Sequence, residues 1–154
     1  MCIRDRLVAA GNPCPCGFAG DPERSCVCPE SRLAAYRARL SGPLLDRVAL
    51  SVDVPRVDPG RLGTEHGGGE STAAVAERAR AARERARNRD RGDTLTPDAR
   101  RCFAEGARRA GLTARACGQV VAVARTIADL ADEARVGAAH VEEAFTFQRV
   151  GPYG

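Results

Sequence analysis

The sequence predicts an α/β segment, the tail of a sheet domain, followed by a helical domain. Three observations carry this expectation. Val48, Leu50, Val52 and Val54 alternate with Ala49, Ser51 and Asp53, the period of two that gives a strand one apolar face. Residues 58–72 hold few apolar side chains and include Gly67, Gly68 and Gly69, the composition of a linker. Beyond them, apolar residues recur at helical spacing behind recognisable capping signals.

The elements follow in order. Leu7-Val8-Ala9-Ala10 reads as the end of a short buried strand. Met1-Cys2-Ile3-Arg4-Asp5-Arg6 is a poor lead-in to it, so we expect a truncated chain whose residues 1–6 are foreign to the fold. Residues 11–28 are a loop rich in Gly, Pro and Cys. Pro29 suits a first helical turn, and Leu33, Tyr36 and Leu40 follow at helical spacing until Ser41-Gly42-Pro43. The alternating strand comes next and ends at Pro55 and Pro59. Ser71 or Thr72 caps a helix over roughly 73–90. Its arginines at 78, 80, 83, 85, 87 and 89 face only Glu77 and Glu84, and its apolar stripe is Val75, Ala79, Ala82 and Ala86. It reads as a charged arm. Thr96-Pro97 opens a helix over 97–110 that Gly111 stops. Thr113 caps the next, to about 131, with Val120, Val123, Ala124, Ile127 and Leu130 on its inner face. The last, about 138–148, buries Val141, Ala144 and Phe145. The expected division is therefore 1–6 leader, 7–57 sheet-domain tail with a Cys-rich loop, 58–72 linker, and 73–154 helical domain.

A chain of 154 residues has room for one domain or two small ones, but alanine supplies much of its 44% hydrophobic content. Four Phe, two Tyr and no Trp predict a thin, aliphatic core. All 24 basic residues are arginine, and the net charge of +4 permits an anionic partner without requiring one. No run approaches a membrane span, and no apolar secretory segment is present, so the expected location is the cytoplasm. Seven cysteines there favour metal or reduced thiols over disulfides.

Cys14, Cys16, Cys26 and Cys28 form two C-x-C hooks across a nine-residue loop containing Gly17, Gly20 and Pro22. Four thiolates satisfy a tetrahedral Zn2+ at about 2.3 Å each, which makes a structural zinc site the leading reading and leaves no open position for catalysis. Reduced surface thiols or a redox-sensitive pair are the alternatives. Cys2, Cys102 and Cys117 have no such partners in sequence. Asn12, after a strand and before a proline, can orient a water or touch a phosphate, or simply open a turn. Arg47, at the mouth of the alternating strand, can reach a phosphate on a neighbouring subunit or pair with Asp46. Arg115 sits just inside a helix start, where it can meet a phosphate or a local acid, and Arg125 can pair with Asp129 four residues on. His66 reads as a loop histidine and His140 as a helix-surface or capping one. The arginine arm can bind nucleic-acid phosphates or be a solvated face; it has no aromatic side chains for base stacking.

Together, Leu7-Val8-Ala9-Ala10-Gly11-Asn12-Pro13-Cys14-Pro15-Cys16-Gly17, the stretch Tyr36 to Arg47, Leu112-Thr113-Ala114-Arg115-Ala116 and Val123 to Leu130 resemble the ComM/YifB group of magnesium-chelatase-like AAA+ ATPases. The resemblance runs from about Leu7 to Arg149. It implies the C-terminal part of a AAA+ (P-loop NTPase) core followed by an α-helical lid. It also implies roles: Asn12 at the sensor-1 position, Arg47 as the arginine finger acting on ATP of the adjacent subunit, and Arg115 at the sensor-2 position, reporting phosphate status in cis. The family's phosphate loop, with its lysine, and its Mg2+-binding acidic motif do not occur in this sequence, which has no lysine at all. Gly11 stands where the family has Met, Ala49 where it has an acid, and Gln119 and Ala122 where it has basic residues.

These readings converge on a fragment of a hexameric AAA+ ATPase that remodels DNA, in the manner of a branch-migration helicase serving natural transformation or recombination. The complete protein would use ATP and Mg2+; the fragment alone is expected to be inactive. The rival is a zinc-stabilised nucleic-acid-binding or assembly module without ATPase activity.

Overall fold

The computed structural model describes residues 7–39, 45–55, 57, 69–89 and 94–148. The chain forms two compact units that divide between residues 41 and 42. Each has its own means of support.

In the first unit, a Cys-rich loop precedes helix α1, Glu30–Arg37. Pro29 stands at its N-cap, so the ring's fixed φ starts the helix, and Arg32 and Leu33 both donate their amides to the Pro29 carbonyl. No residue of α1 is buried. The Tyr36 hydroxyl ties it to the loop by donating to the Asn12 carbonyl at 2.9 Å.

Four helices make the second unit: α2 Thr72–Asn88, α3 Pro97–Arg109, α4 Ala114–Leu130 and α5 Ala138–Thr146. Three begin on a hydroxyl that accepts an amide three residues on: Ser71 from Ala74, Thr96 from Ala99 and Thr113 from Ala116. Pro97 occupies the first turn of α3, as its sequence predicts. Gly111, at φ +59°, closes α3, and the Leu112 amide returns to the Ala107 carbonyl. Asp132 does the same after α4 at φ 63°, with Glu133 donating to the Ala128 carbonyl. A short parallel bridge between Leu95 and Val136 ties the approaches to α3 and α5 together.

The core is small-residue packing. Leu95, Ala99, Val120, Ala124, Ala128, Val136, Val141 and Ala144 are buried, with Cys102, Phe103, Leu112, Val121, Val123, Ile127 and Phe145 packed against them. Alanines on α3, α4 and α5 let the backbones approach closely. Phe103 and Phe145 stack at 6.4 Å between ring centroids. The expected inner face of α4 is right at Val120 and Ala124 and wrong at Leu130, which is 45% exposed. Asp129 occupies the buried position there instead, because α2 docks against that end of α4 and brings an arginine to it.

The expected sheet is the principal difference. No strand occurs among the described residues, so the α/β character is not seen; the described elements are helices. Leu7 and Val8 are 75% and 95% exposed, and Val48, Leu50, Val52 and Val54 range from 40% to 85%. A strand needs a neighbour to take its amides and carbonyls, and the alternating pattern reports only which face such a neighbour would cover. In its place the segment is stitched to the helices: Ser51 donates its amide to the Phe147 carbonyl at 2.9 Å, and Gln148 Nε2 donates to the Ala49 carbonyl at 3.1 Å. His66, Gly67, Gly68 and residues 1–6 lie outside the described residues.

Candidate functional site

The loop of the first unit is built around sulfur. Pro13 and Pro15 stiffen the approach, and Gly17, at φ 84°, turns the chain so that its amide meets the Cys14 carbonyl at 3.0 Å. The Ala19 amide then points at Cys14 Sγ at 3.3 Å. Gly20, at φ 82°, makes the second bend, and Asp21 Oδ1 accepts from the amides of Glu23 and Arg24, fixing the turn that brings the second hook back. The Arg24 guanidinium lies 5.2 Å from the centre of the Phe18 ring.

The result is a tight cluster. Cys14 and Cys16 sulfurs are 3.3 Å apart, and Cys26 Sγ lies 3.6 Å from each. With Cys28 included, all four sulfurs fall within 4.8 Å of one another. A tetrahedral S4 zinc site with bonds of about 2.3 Å has sulfurs about 3.8 Å apart. The cluster therefore fits such an ion with small adjustments. The electrostatics agree. Amides of Phe18 and then Val27 draw the Cys16 thiol down to about 6. Burial opposes ionisation of Cys14, yet the Ala19 amide and the Cys26 thiol hold it below the usual value. The Cys28 amide pulls Cys26 down, but burial and the neighbouring sulfurs outweigh it and push that thiol up to about 12. Burial, then Cys16, raises Cys28. Four sulfurs this close cannot all carry charge side by side, and a divalent cation among them removes the conflict. Cys102, elsewhere, is raised by burial first.

Asn12 lies exposed at the entrance of this loop. Arg47 is exposed in the turn before the extended segment of the second unit. Its neighbour Asp46 is the hub of a contact that spacing could not reveal. Thr113 donates its hydroxyl to Asp46 Oδ1 at 2.9 Å, Arg115 Nη1 donates to Oδ2 at 3.0 Å, and Gln119 Nε2 donates to the Asp46 carbonyl at 3.3 Å. The N-terminal end of α4 thus grips the residue next to Arg47, and a carboxylate at a helix N-terminus is favourably placed. Arg115 keeps 52% of its side chain exposed in this contact.

Two arginines of the arm, Arg85 and Arg89, fasten it to α4. Arg89 pairs with the buried Asp129 and reaches the Arg125 carbonyl. Arg85 pairs with Asp132 and donates to the Asp129 carbonyl at 2.9 Å. Both serve the C-terminal end of α4, where cations are favoured. Arg78 pairs with Glu70, and Arg80 with Glu77. Arg125 bonds Thr94 through Nε at 3.2 Å, and Asp129, its expected partner, goes to Arg89. His140 is buried and its Nδ1 accepts the Gly137 amide at 3.0 Å, a capping role. No helix among the described residues is long and apolar enough to cross a membrane.

Comparison with known proteins gives two family matches: magnesium chelatase, subunit ChlI, over residues 3–62, and the C-terminal region of the same subunit over residues 69–148. YifB of Escherichia coli is 36% identical over 160 residues, covering 96% of this chain and 31% of its own length. An uncharacterised Mycobacterium tuberculosis protein is 35% identical over 165 residues, with 96% and 32% covered. The competence protein ComM of Haemophilus influenzae is 34% identical over 159 residues, with 94% and 31% covered. The chain spans about a third of the length of these relatives.

Proposed function

The chain belongs to the magnesium chelatase family, in the group that contains YifB and ComM, and from that premise we propose that it is part of an ATP-hydrolysing AAA+ ring motor that acts on DNA. One relative is named for competence, which favours DNA as the substrate; branch migration is the work we propose. The single observation that carries the reading is the contact between Asp46 and Arg115, which fastens Arg115 to the residue next to Arg47.

Arg47 is the finger that neutralises charge developing on a triphosphate held by the adjacent subunit of a hexamer. Arg115 reports phosphate status in cis, the role that the resemblance implies. Asn12 orients the attacking water. Mg2+ would accompany the nucleotide; the phosphate loop and acidic motif that hold it in the family do not occur in this sequence. The cysteine cluster holds Zn2+ through Cys14, Cys16, Cys26 and Cys28. That ion is structural, since four thiolates leave no position for water.

Arg47→Ala in the full-length protein tests the motor reading. ATP hydrolysis should fall by about 10³–10⁵ while nucleotide binding persists; unchanged turnover contradicts it. Native mass spectrometry tests the metal. One zinc per chain, lost in Cys14→Ser, is expected; a metal-free loop with intact structure contradicts it.

A further inference from the structure

Asp46 does more than fill a turn. Its carboxylate uses one oxygen for the Thr113 hydroxyl and the other for Arg115 Nη1, and its carbonyl is held by Gln119. Thr113 is engaged twice, since its oxygen also accepts the Ala116 amide that starts α4. The Asp46 side chain is 28% exposed and that of Arg115 52% exposed, so the pair sits at an accessible edge. A guanidinium has five N–H donors, and this contact uses one of them. The aspartate therefore orients Arg115 and leaves most of its donors available to a phosphate. The same residue fixes the backbone immediately before Arg47. Gln119, which stands where a basic residue is expected, has this contact as its task.

We propose that Asp46 is a positioning residue that couples the two arginines, orienting Arg115 through its carboxylate and setting Arg47 through the carbonyl held by Gln119. This rests on the reading of both arginines as phosphate ligands. The coupling makes α4 and the finger segment move as one piece: a shift of α4 that improves the reach of Arg115 carries Arg47 with it. No bond forms or breaks in this role; the effect is on where two cations are held.

The test is steady-state ATP hydrolysis by the full-length protein with Asp46→Asn, Arg115→Ala and the double variant. Asparagine keeps an oxygen for Thr113 and removes the charge that faces Arg115. We expect KM for ATP to rise about threefold, the scale of an exposed ion pair, with kcat nearly unchanged and the melting midpoint the same. In the Arg115→Ala background, Asp46→Asn should add nothing. Gln119→Ala should instead lower kcat with KM unchanged, because it loosens Arg47. A silent Asp46→Asn, or one whose effect persists without Arg115, overturns the coupling. If Arg47→Ala leaves hydrolysis intact, the motor reading fails first. Should Asp46→Asn lower the melting midpoint, Gln119→Ala alone decides: an unchanged kcat overturns the proposal.

Discussion

The two units of this chain are held together by different physics. Among the described residues, Cys14 is the one buried side chain of residues 7–39. The helical unit, by contrast, buries a contiguous cluster of eight residues from Leu95 to Ala144. The first unit has turns, glycines and sulfurs but almost no core, and α1 buries nothing. A segment this poor in apolar contacts cannot offset the entropy of ordering its backbone. The cysteines are what remains to do so. The helical unit needs no such device, because even alanine-rich helices close-pack when their caps and ends are satisfied.

This contrast can be broken or sharpened by experiment. The largest effect belongs to removal of the proposed zinc. A strong chelator should abolish the ordered amide signals of residues 12–28 while those of α3, α4 and α5 stay in place, since structural zinc supplies folding energy outright. Retained loop signals would erase the distinction. Next is Arg89→Ala, which leaves Asp129, 5% exposed, without its cation. Thermal or denaturant unfolding should show a loss of about 3 kcal/mol. Val120→Ala, at a fully buried site, should cost about 2 kcal/mol by the same measurement, with no change in zinc content. Smallest is Arg80→Ala. Its partner Glu77 is 71% exposed, and the unfolding midpoint should not move.

How far the sequence could be read follows the range of each contact. Ser71, Thr96 and Thr113 each bond an amide three residues on, so their capping roles are local and legible. The four cysteines lie within one loop whose turns at Gly17, Gly20 and Asp21 are local, so their clustering is legible too. Arg85 reaches a carbonyl 44 residues away and Arg115 an acid 69 residues away. The residues around each arginine do not name so distant a partner. The arm therefore reads as a charged surface from its sequence, although Arg85 and Arg89 fasten it to α4. Leu130 misleads for a similar reason: helical periodicity assigns it inward, but docking of α2 turns that end of α4 toward Asp129. The alternating segment at 48–54 shows the limit for strands, because pairing requires a second segment that periodicity does not name.

The proposed role of Arg47 on a neighbour's nucleotide is tested most directly by mixing. Full-length Arg47→Ala subunits, with an intact phosphate loop, should be inactive alone, as should subunits whose phosphate loop is disabled but whose Arg47 is present. Combined in equal amounts, they should recover a measurable fraction of ATP hydrolysis, because one supplies the nucleotide site and the other the guanidinium. A mixture as inactive as its components, in rings shown to contain both, would contradict the account.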